Sequence, residues 1–391
     1  MSISSQSRAS IATKYGLDTF QTQQRITAFL KLQLGVDYVF DVSFAHDLSL
    51  LESAAEFLHR IKTSSATPML ASACPGWVCY AEKTHGDLLS LLDSTKSAMQ
   101  IMGSLLKNCL STKLGISPND VYHVSIAPCY DKKLEASRQD FYSDLYRTRD
   151  VDCVLTTGEL ESMFTENGSS IATTKEAPLD SLFTKSTDTT RFLCRAEGNS
   201  SGGYLPYVLR SAVSSLYGVS LTLSDITGGT NGVAIVPGRN QDYTEVLYTP
   251  PGATEPALRF AYAYGFRNIQ NLVRRLKPTN KPVNPRRTRP TTESMAYHFI
   301  EVMACPSGCI NGGGQLKPQD ASNAKQWIVD SEATYQQSDA FVQKPEDNDG
   351  INSLYREWLG GRVRCDRAIE LLHTEYHAVD SSEPSVMVSS W

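Results

Sequence analysis

The segment Cys305-Pro-Ser-Gly-Cys309-Ile-Asn-Gly-Gly-Gly-Gln315 constrains the fold of this chain more than any other feature. It places two thiols one helical turn apart and then three consecutive glycines, which an ordinary helix or strand disfavours by about 1 kcal/mol each relative to alanine. A glycine triplet therefore indicates a sharp turn or a close approach of the backbone to another group. Thiolates beside such a backbone can hold a soft metal, and nearby amides can donate hydrogen bonds to the sulfurs. Two buried cysteines beside a plain turn explain the segment equally well on its own.

Composition narrows the class of protein. The chain has 391 residues, a net charge of −5 and 41% hydrophobic residues, as expected for a soluble protein with one large core or two domains. The net negative charge gives no general attraction to nucleic acid or to anionic membranes. No apolar run approaches the roughly 20 residues that span a bilayer, and residues 1–8 lack the pattern of a signal peptide. An odd count of nine cysteines without a secretory signal argues against a disulfide framework.

Alternating strand and helix patterns predict an α/β fold with mainly parallel sheets and helices on their faces. The strand patterns cover residues 36–42, 68–74 and 121–126, and the helix patterns cover residues 48–61, 93–106, 265–276 and 354–372. Parallel sheets carry functional groups at the ends of their strands and in the loops that follow. Cys74 and Cys129 both stand at such positions, although either one alone reads as an ordinary buried cysteine.

Other residues allow two interpretations from the sequence alone. His373 and His377 have the spacing of a helical metal pair, but Thr374 stands where a metalloprotease needs a glutamate, which favours a solvated or packed pair. Lys132, three residues after Cys129, is either a surface lysine or a cation aimed at a metal site. Trp391 is either part of a frayed tail or a docking group, because an indole is costly to leave in water.

Four segments together resemble the active-site signatures of the [FeFe]-hydrogenase-like proteins. They are Ser72-Ala-Cys74-Pro-Gly-Trp77, Ala127-Pro-Cys129-Tyr-Asp-Lys132-Lys-Leu-Glu135, Glu301-Val-Met-Ala-Cys305 and the Cys309 segment. The resemblance covers most of the chain and is greatest to the eukaryotic, non-hydrogenase branch, the cytosolic iron–sulfur assembly factors. It implies that Cys74, Cys129, Cys305 and Cys309 hold one [4Fe–4S] cluster, buried between two α/β lobes, with Lys132 beside it. It further implies a large-subunit-like cluster-binding domain over residues 1–345 and a small-subunit-like helical segment and tail over residues 346–391.

The resemblance implies a function in cytosolic iron–sulfur cluster assembly, in which the protein delivers clusters to apoproteins through a targeting complex. The implied partners are the scaffold and targeting-complex proteins, with Trp391 as a docking residue, and neither nucleic acid nor membrane. The implied location is the cytoplasm, with the nucleus as a further compartment. Two alternatives remain open: an [FeFe]-hydrogenase-type oxidoreductase and a nuclear, prelamin-binding paralogue.

Departures from the family patterns bear on these alternatives. Active hydrogenases carry a second cysteine, which relays protons, directly before the first ligand; here that position is Ala73, and Ser307 replaces a usual glycine. Both changes favour a protein without hydrogenase activity. The assembly factors carry four further cysteines in an N-terminal segment, whereas no cysteine precedes Cys74 here. The sequence therefore predicts a single cluster in these 391 residues.

Overall fold

The computed structural model describes residues 1–65, 67–182, 197–277, 296–336 and 344–379. The strands within these ranges are β1 (Ser2–Ile3), β2 (Phe40–Asp41), β3 (Met69–Ala71), β4 (Val124–Ala127), β5 (Tyr142–Ser143), β6 (Thr148–Arg149), β7 (Cys153–Thr156), β8 (Val233–Pro237), β9 (Tyr243–Tyr248), β10 (Leu258–Tyr264) and β11 (Phe299–Met303). The α-helices are α1 (Ser5–Tyr15), α2 (Thr19–Leu34), α3 (Ser43–Lys62), α4 (Pro75–Thr84), α5 (Ala98–Ser104), α6 (Ser111–Leu114), α7 (Asp131–Ala136), α8 (Thr157–Glu166), α9 (Tyr204–Tyr217), α10 (Leu223–Gly228), α11 (Phe266–Leu276), α12 (Ala324–Gln336), α13 (Asp349–Glu357) and α14 (Asp366–Leu372).

Two sheets organise the molecule, as the alternation of strand and helix predicts. The four-stranded sheet has the order β2-β1-β4-β7 and is parallel throughout. The five-stranded sheet has the order β3-β11-β10-β9-β8, in which the pairs β3–β11 and β11–β10 are parallel and the remaining pairs are antiparallel. β5 and β6 form a separate antiparallel pair. The predicted α/β class is confirmed. The antiparallel strands, β9 and β8, lie at the edge of the five-stranded sheet opposite β3.

The five-stranded sheet is covered on both faces because its side chains alternate. Phe260 and Phe299 point toward α3 and α9, where they pack against Phe57 with ring centroids 5.2 and 5.7 Å away. Their neighbours Ala261 and Ile300 point to the other face, which α4 and α11 cover. A strand buried on both sides favours apolar residues at every position, and four of the five residues of β11 are apolar. The fifth, Glu301, is also buried and accepts hydrogen bonds from the Tyr264 hydroxyl and the Leu205 amide.

The four-stranded sheet packs against α1, α2 and α8. The turn from β7 into α8 is fixed locally: Thr156 accepts a hydrogen bond from the amide of Glu159, and the Glu159 carboxylate accepts one from the amide of Thr156. Such a reciprocal cap satisfies two amides that a helix start otherwise leaves unpaired. None of the helices in the described ranges is long and apolar enough to cross a membrane.

Several predicted boundaries are corrected. The strand predicted over 36–42 is reduced to β2, and the helix predicted over 93–106 begins only at Ala98, because the preceding residues pair with the C-terminal segment; Lys96, for example, donates its amide to Leu372. That helix continues as a π-helix over Leu105–Leu110. The single helix predicted over 354–372 is two helices, α13 and α14. Gly360 and Gly361, with φ of 87° and 98°, lie between them in a backbone conformation that an α-helix excludes.

Candidate metal centre

The four predicted ligand cysteines all stand in loops that follow parallel strands. Cys74 lies between β3 and α4, and Cys129 lies between β4 and α7. Cys305 follows β11, and Cys309 begins a short 3-10 helix four residues later. Since β3 and β11 belong to one sheet and β4 to the other, the cysteine loops come from the carboxyl ends of strands in both sheets.

These thiols lie close enough together that a charge on one affects the pKa of another. Burial raises the pKa of Cys129 to about 12, and the neighbouring Cys74 adds to the rise. Burial likewise raises the pKa of Cys305 to about 11, again with Cys74 as the next cause. The pKa of Cys309 is raised well above its ordinary value by burial first and then by the other three thiols. The fold therefore brings these four thiols, from distant parts of the sequence, near one another.

The group that four thiolates bind determines how far apart their sulfurs lie. In the described part of the chain, no three His, Cys, Asp or Glu side chains lie close enough to hold one metal ion. A tetrahedral zinc site, with metal–sulfur bonds of about 2.3 Å, needs its sulfurs in a tight group. A four-iron cube is larger and holds its sulfurs further apart. Four thiolates serve both structural zinc and iron–sulfur clusters, so the separation of the sulfurs rather than the donor type distinguishes the two.

Backbone amides surround the sulfurs. Ala304 donates its amide to Cys74 Sγ at 3.4 Å, and the amides of Gly76 and Trp77 at the start of α4 also point to this sulfur. The amide of Lys132 points to Cys129, and that of Gly313 to Cys305. Such donors stabilise thiolates and the sulfurs of a cluster, and a helix N-terminus adds its positive end.

The glycine triplet is explained by packing against the Cys129 loop. A Cβ on Gly312 would lie 2.3 Å from the carbonyl oxygen of Pro128. A Cβ on Gly314 would lie 2.7 Å from Cβ of Thr156 and 3.3 Å from Cα of Cys129. The predicted close approach is therefore confirmed, and the group approached is the backbone that carries Cys129.

Lys132 is buried beside the thiols rather than exposed on the surface. Its ammonium donates to Glu135 Oε2 at 2.5 Å. Burial alone would lower the pKa of Lys132, but Glu135 and the thiols Cys129 and Cys309 together raise it, so the lysine stays charged. Its positive charge in turn opposes the rise in the pKa of Cys129.

A cavity of about 30 Å³ adjoins Cys74 on the side of Ala73. Cys79, Arg138 and Tyr376 also line it. The methyl group of Ala73 offers no exchangeable proton, so this position cannot relay protons into the cavity. Trp391, the other residue singled out in the sequence, lies outside the described residues.

Two polar side chains that sequence reasoning missed hold the Cys305–Cys309 loop. Ser201 Oγ accepts a hydrogen bond from the amide of Cys309 at 3.2 Å, and Asp242 Oδ1 accepts one from the amide of Ser307 at 2.7 Å. Both contacts are long-range, and no local pattern distinguishes these two residues from ordinary loop residues. The Gly202-Gly203 pair that follows Ser201 is the nearby sequence feature that could have drawn attention to this loop.

Comparison with known families agrees with this geometry. Residues 1–313 match the family model described as "Iron only hydrogenase large subunit, C-terminal domain", and residues 331–379 match "Iron hydrogenase small subunit". The cytosolic iron-sulfur assembly component 3 of Rattus norvegicus is 45% identical over 97% of this chain and 74% of its own length. A cytosolic Fe-S cluster assembly factor of Danio rerio is 44% identical over 98% of this chain and 87% of its own length.

Solved structures show the same architecture. An [FeFe]-hydrogenase from Chlamydomonas reinhardtii aligns with a TM-score of 0.78 at 27% sequence identity, covering 96% of this chain and 93% of the hydrogenase. The match to both hydrogenase subunit models, the shared fold and the high identity to the assembly factors all lead to one assignment. The chain belongs to the [FeFe]-hydrogenase-like family, in the branch of the cytosolic iron–sulfur assembly factors.

Proposed function

We propose that this protein binds one [4Fe–4S] cluster through Cys74, Cys129, Cys305 and Cys309 and acts in cytosolic iron–sulfur cluster assembly. The observation that carries the proposal is the convergence of the four thiols, each of which affects the pKa of Cys309 or is affected by its neighbours, in a part of the chain where no group of side chains is arranged for a single metal ion. The names of the relatives, which describe them as cytosolic assembly factors, support the function.

The residues around the thiols are suited to hold a cluster. Iron ligation requires all four sulfurs as thiolates, so cluster binding is coupled to loss of protons from thiols whose pKa burial raises. When bound, the cluster supplies the positive charge of its iron to the thiolates. Lys132 and the surrounding amides offset the remaining negative charge, so that burial does not exclude the loaded site.

The second candidate, a hydrogenase, is favoured by the fold of the structural neighbours. Ala73 disfavours it, because the residue before the first ligand carries no acidic proton. We therefore infer that the protein is not a hydrogenase. Delivery of a cluster through a targeting complex, with Trp391 as a docking group, is the more specific form of the proposal.

The same proposal includes the location and the organisation of the chain. We place the protein in the cytoplasm, with the nucleus as a further compartment, and name scaffold and targeting-complex proteins as its partners. We assign residues 346–391 as a small-subunit-like unit. The packing of α13 and α14 against α3 and α5 supports this assignment, because the unit completes a hydrophobic core that it shares with the preceding residues.

Anaerobic purification with iron and acid-labile sulfide analysis tests the proposal. We expect one four-iron cluster per chain and its loss in Cys129→Ala and Cys305→Ala. Cys365→Ala is the matched control: its thiol contacts the carbonyl of Leu359, away from the site, so iron should be retained. Equal iron loss in all three variants, or one zinc ion in place of iron, would contradict the ligand assignment.

A further inference from the structure

The helix α11 presents a strongly basic side to solvent. Its buried positions are Asn268, Ile269, Leu272 and Val273, which fix the helix on the five-stranded sheet. The exposed positions form what we call the arginine face: Phe266, Arg267, Gln270, Asn271, Arg274 and Arg275. This face contains no acidic residue, although the whole chain has a net charge of −5.

Two of the three arginines on this face have no acidic partner among the described residues. Arg275 lies 3.9 Å from Glu245 and donates to the hydroxyl groups of Tyr243 and Tyr297. Arg267 and Arg274 make no ion pair within the described part of the chain. They stand seven positions apart, two helical turns, so both guanidinium groups lie along the same side of the helix. Their spacing along the helix therefore provides positive charge that no carboxylate of the described residues pairs with.

An exposed aromatic ring begins the same face. Phe266 is 43% exposed, and the ring of Tyr80 on α4 holds it edge to face at a centroid distance of 5.4 Å. A rigid, half-exposed aromatic ring beside arginines has the composition that dominates binding energy in protein interfaces.

The arginine face adjoins the loop that carries Cys305. Gly265, the residue before α11, donates its amide to the carbonyl of Met303, and a Cβ on Gly265 would lie 3.6 Å from Cγ of Pro306. Pro306 is exposed and directly follows Cys305, which is itself partly exposed. A partner bound to the first turn of α11 is therefore next to the proposed cluster, at a ligand that is partly exposed.

We propose that the arginine face docks a short acidic segment of a partner protein, with an apolar side chain against Phe266. That clusters are exchanged at Cys305 beside this face rests on the proposed function, whereas the docking of an acidic segment does not. A short segment fits better than an extended polyanion because the face is only about 16 Å long. Beyond the face, the net negative charge of the protein repels a nucleic acid strand or an anionic membrane.

The test uses the full chain and a fluorescein-labelled peptide of about ten glutamates with one central leucine, long enough to follow the helix. We expect binding that weakens with salt, and at least about tenfold weaker binding in the double variant Arg267→Glu, Arg274→Glu. Phe266→Ser should weaken binding several-fold. The control Lys325→Glu, Arg362→Glu changes the charge equally at exposed positions on α12 and between α13 and α14, and should bind as the unchanged protein does.

Three kinds of result would overturn the proposal. Undetectable binding by the unchanged protein, equal loss in the control variant, or tighter binding of an RNA strand of matched charge or of phosphatidylserine vesicles would do so. Iron content is measured on the same samples. If the double arginine variant loses peptide binding but retains iron, the arginine face acts in docking and not in cluster binding. If an iron-free Cys129→Ala variant still binds the peptide, the docking proposal holds even where the cluster proposal fails.

Discussion

His373 joins the C-terminal segment to α3 through a buried charge network. Its Nε2 lies 3.0 Å from Glu52 Oε2, and its Nδ1 lies 3.5 Å from Glu56 Oε2 and 2.8 Å from Ser94 Oγ. At most 5% of each of the three charged side chains is exposed. The backbone of His373 also pairs with Thr95 in an isolated antiparallel bridge, so the imidazole locks a segment that the backbone already aligns.

The pKa of His373 gives the size of this contribution. Burial alone would lower the pKa, but hydrogen bonds to Glu52 and Glu56 and their charges raise it from 6.5 to about 9. That rise corresponds to roughly 3 kcal/mol of stability. Burial alone would raise the pKa of Glu56, but the hydrogen bond from His373 helps to lower it to about 2. Because both shifts describe the same contact, only the shift of His373 is converted to a stability. Since the folded value is the higher one, the stabilisation is complete below pH 6.5 and is lost as the pH rises through about 9.

We therefore predict that His373→Gln lowers the free energy of unfolding by roughly 3 kcal/mol at pH 6 and that this difference falls to near zero at pH 10. Urea unfolding of both proteins across this range, followed by circular dichroism, measures the difference. His377→Gln is the control, because that side chain is 62% exposed and contacts Asp140 at the surface. A difference that stays constant or grows with pH would refute a charged His373.

Four further outcomes follow from the structure and the proposals. Gly314→Ala should lower both the melting temperature and the iron content, because its Cβ meets Thr156 at 2.7 Å; calorimetry and iron analysis check this, and wild-type values would contradict it. Phe57→Ala should cost about 3–5 kcal/mol in urea unfolding, since the ring is fully buried; a cost under about 1 kcal/mol would show that the core does not depend on it. Deleting Trp391 should weaken co-purification with targeting-complex proteins at unchanged iron content, and an unaltered pull-down would remove its docking role. Hydrogen evolution should be undetectable after loading with a synthetic two-iron cofactor, because of Ala73; activity that rises with loading would favour the enzyme.

Local chemistry determined the features that the sequence predicts correctly. The apolar period of α3 predicts a helix without reference to any other segment, and strand patterns place Cys74 and Cys129 at strand ends. The glycine triplet indicates a close backbone approach because no other residue tolerates one. The resemblance then groups four cysteines through their short flanking motifs, each of which is readable within about ten residues.

Contacts between distant segments decided the rest. His373 meets Glu52 across 321 positions, and Ser201 meets the Cys309 amide across 108, so no window of sequence contains both partners. The pairing of residues 93–96 with the C-terminal segment delays the start of α5, although the local pattern favours a helix from Asp93. Lys132 looks like a surface lysine until the fold buries it beside Glu135. Helix period and turn chemistry are properties of neighbouring residues, whereas burial and charge pairing depend on which surfaces the whole chain brings together, and only the tertiary structure determines that.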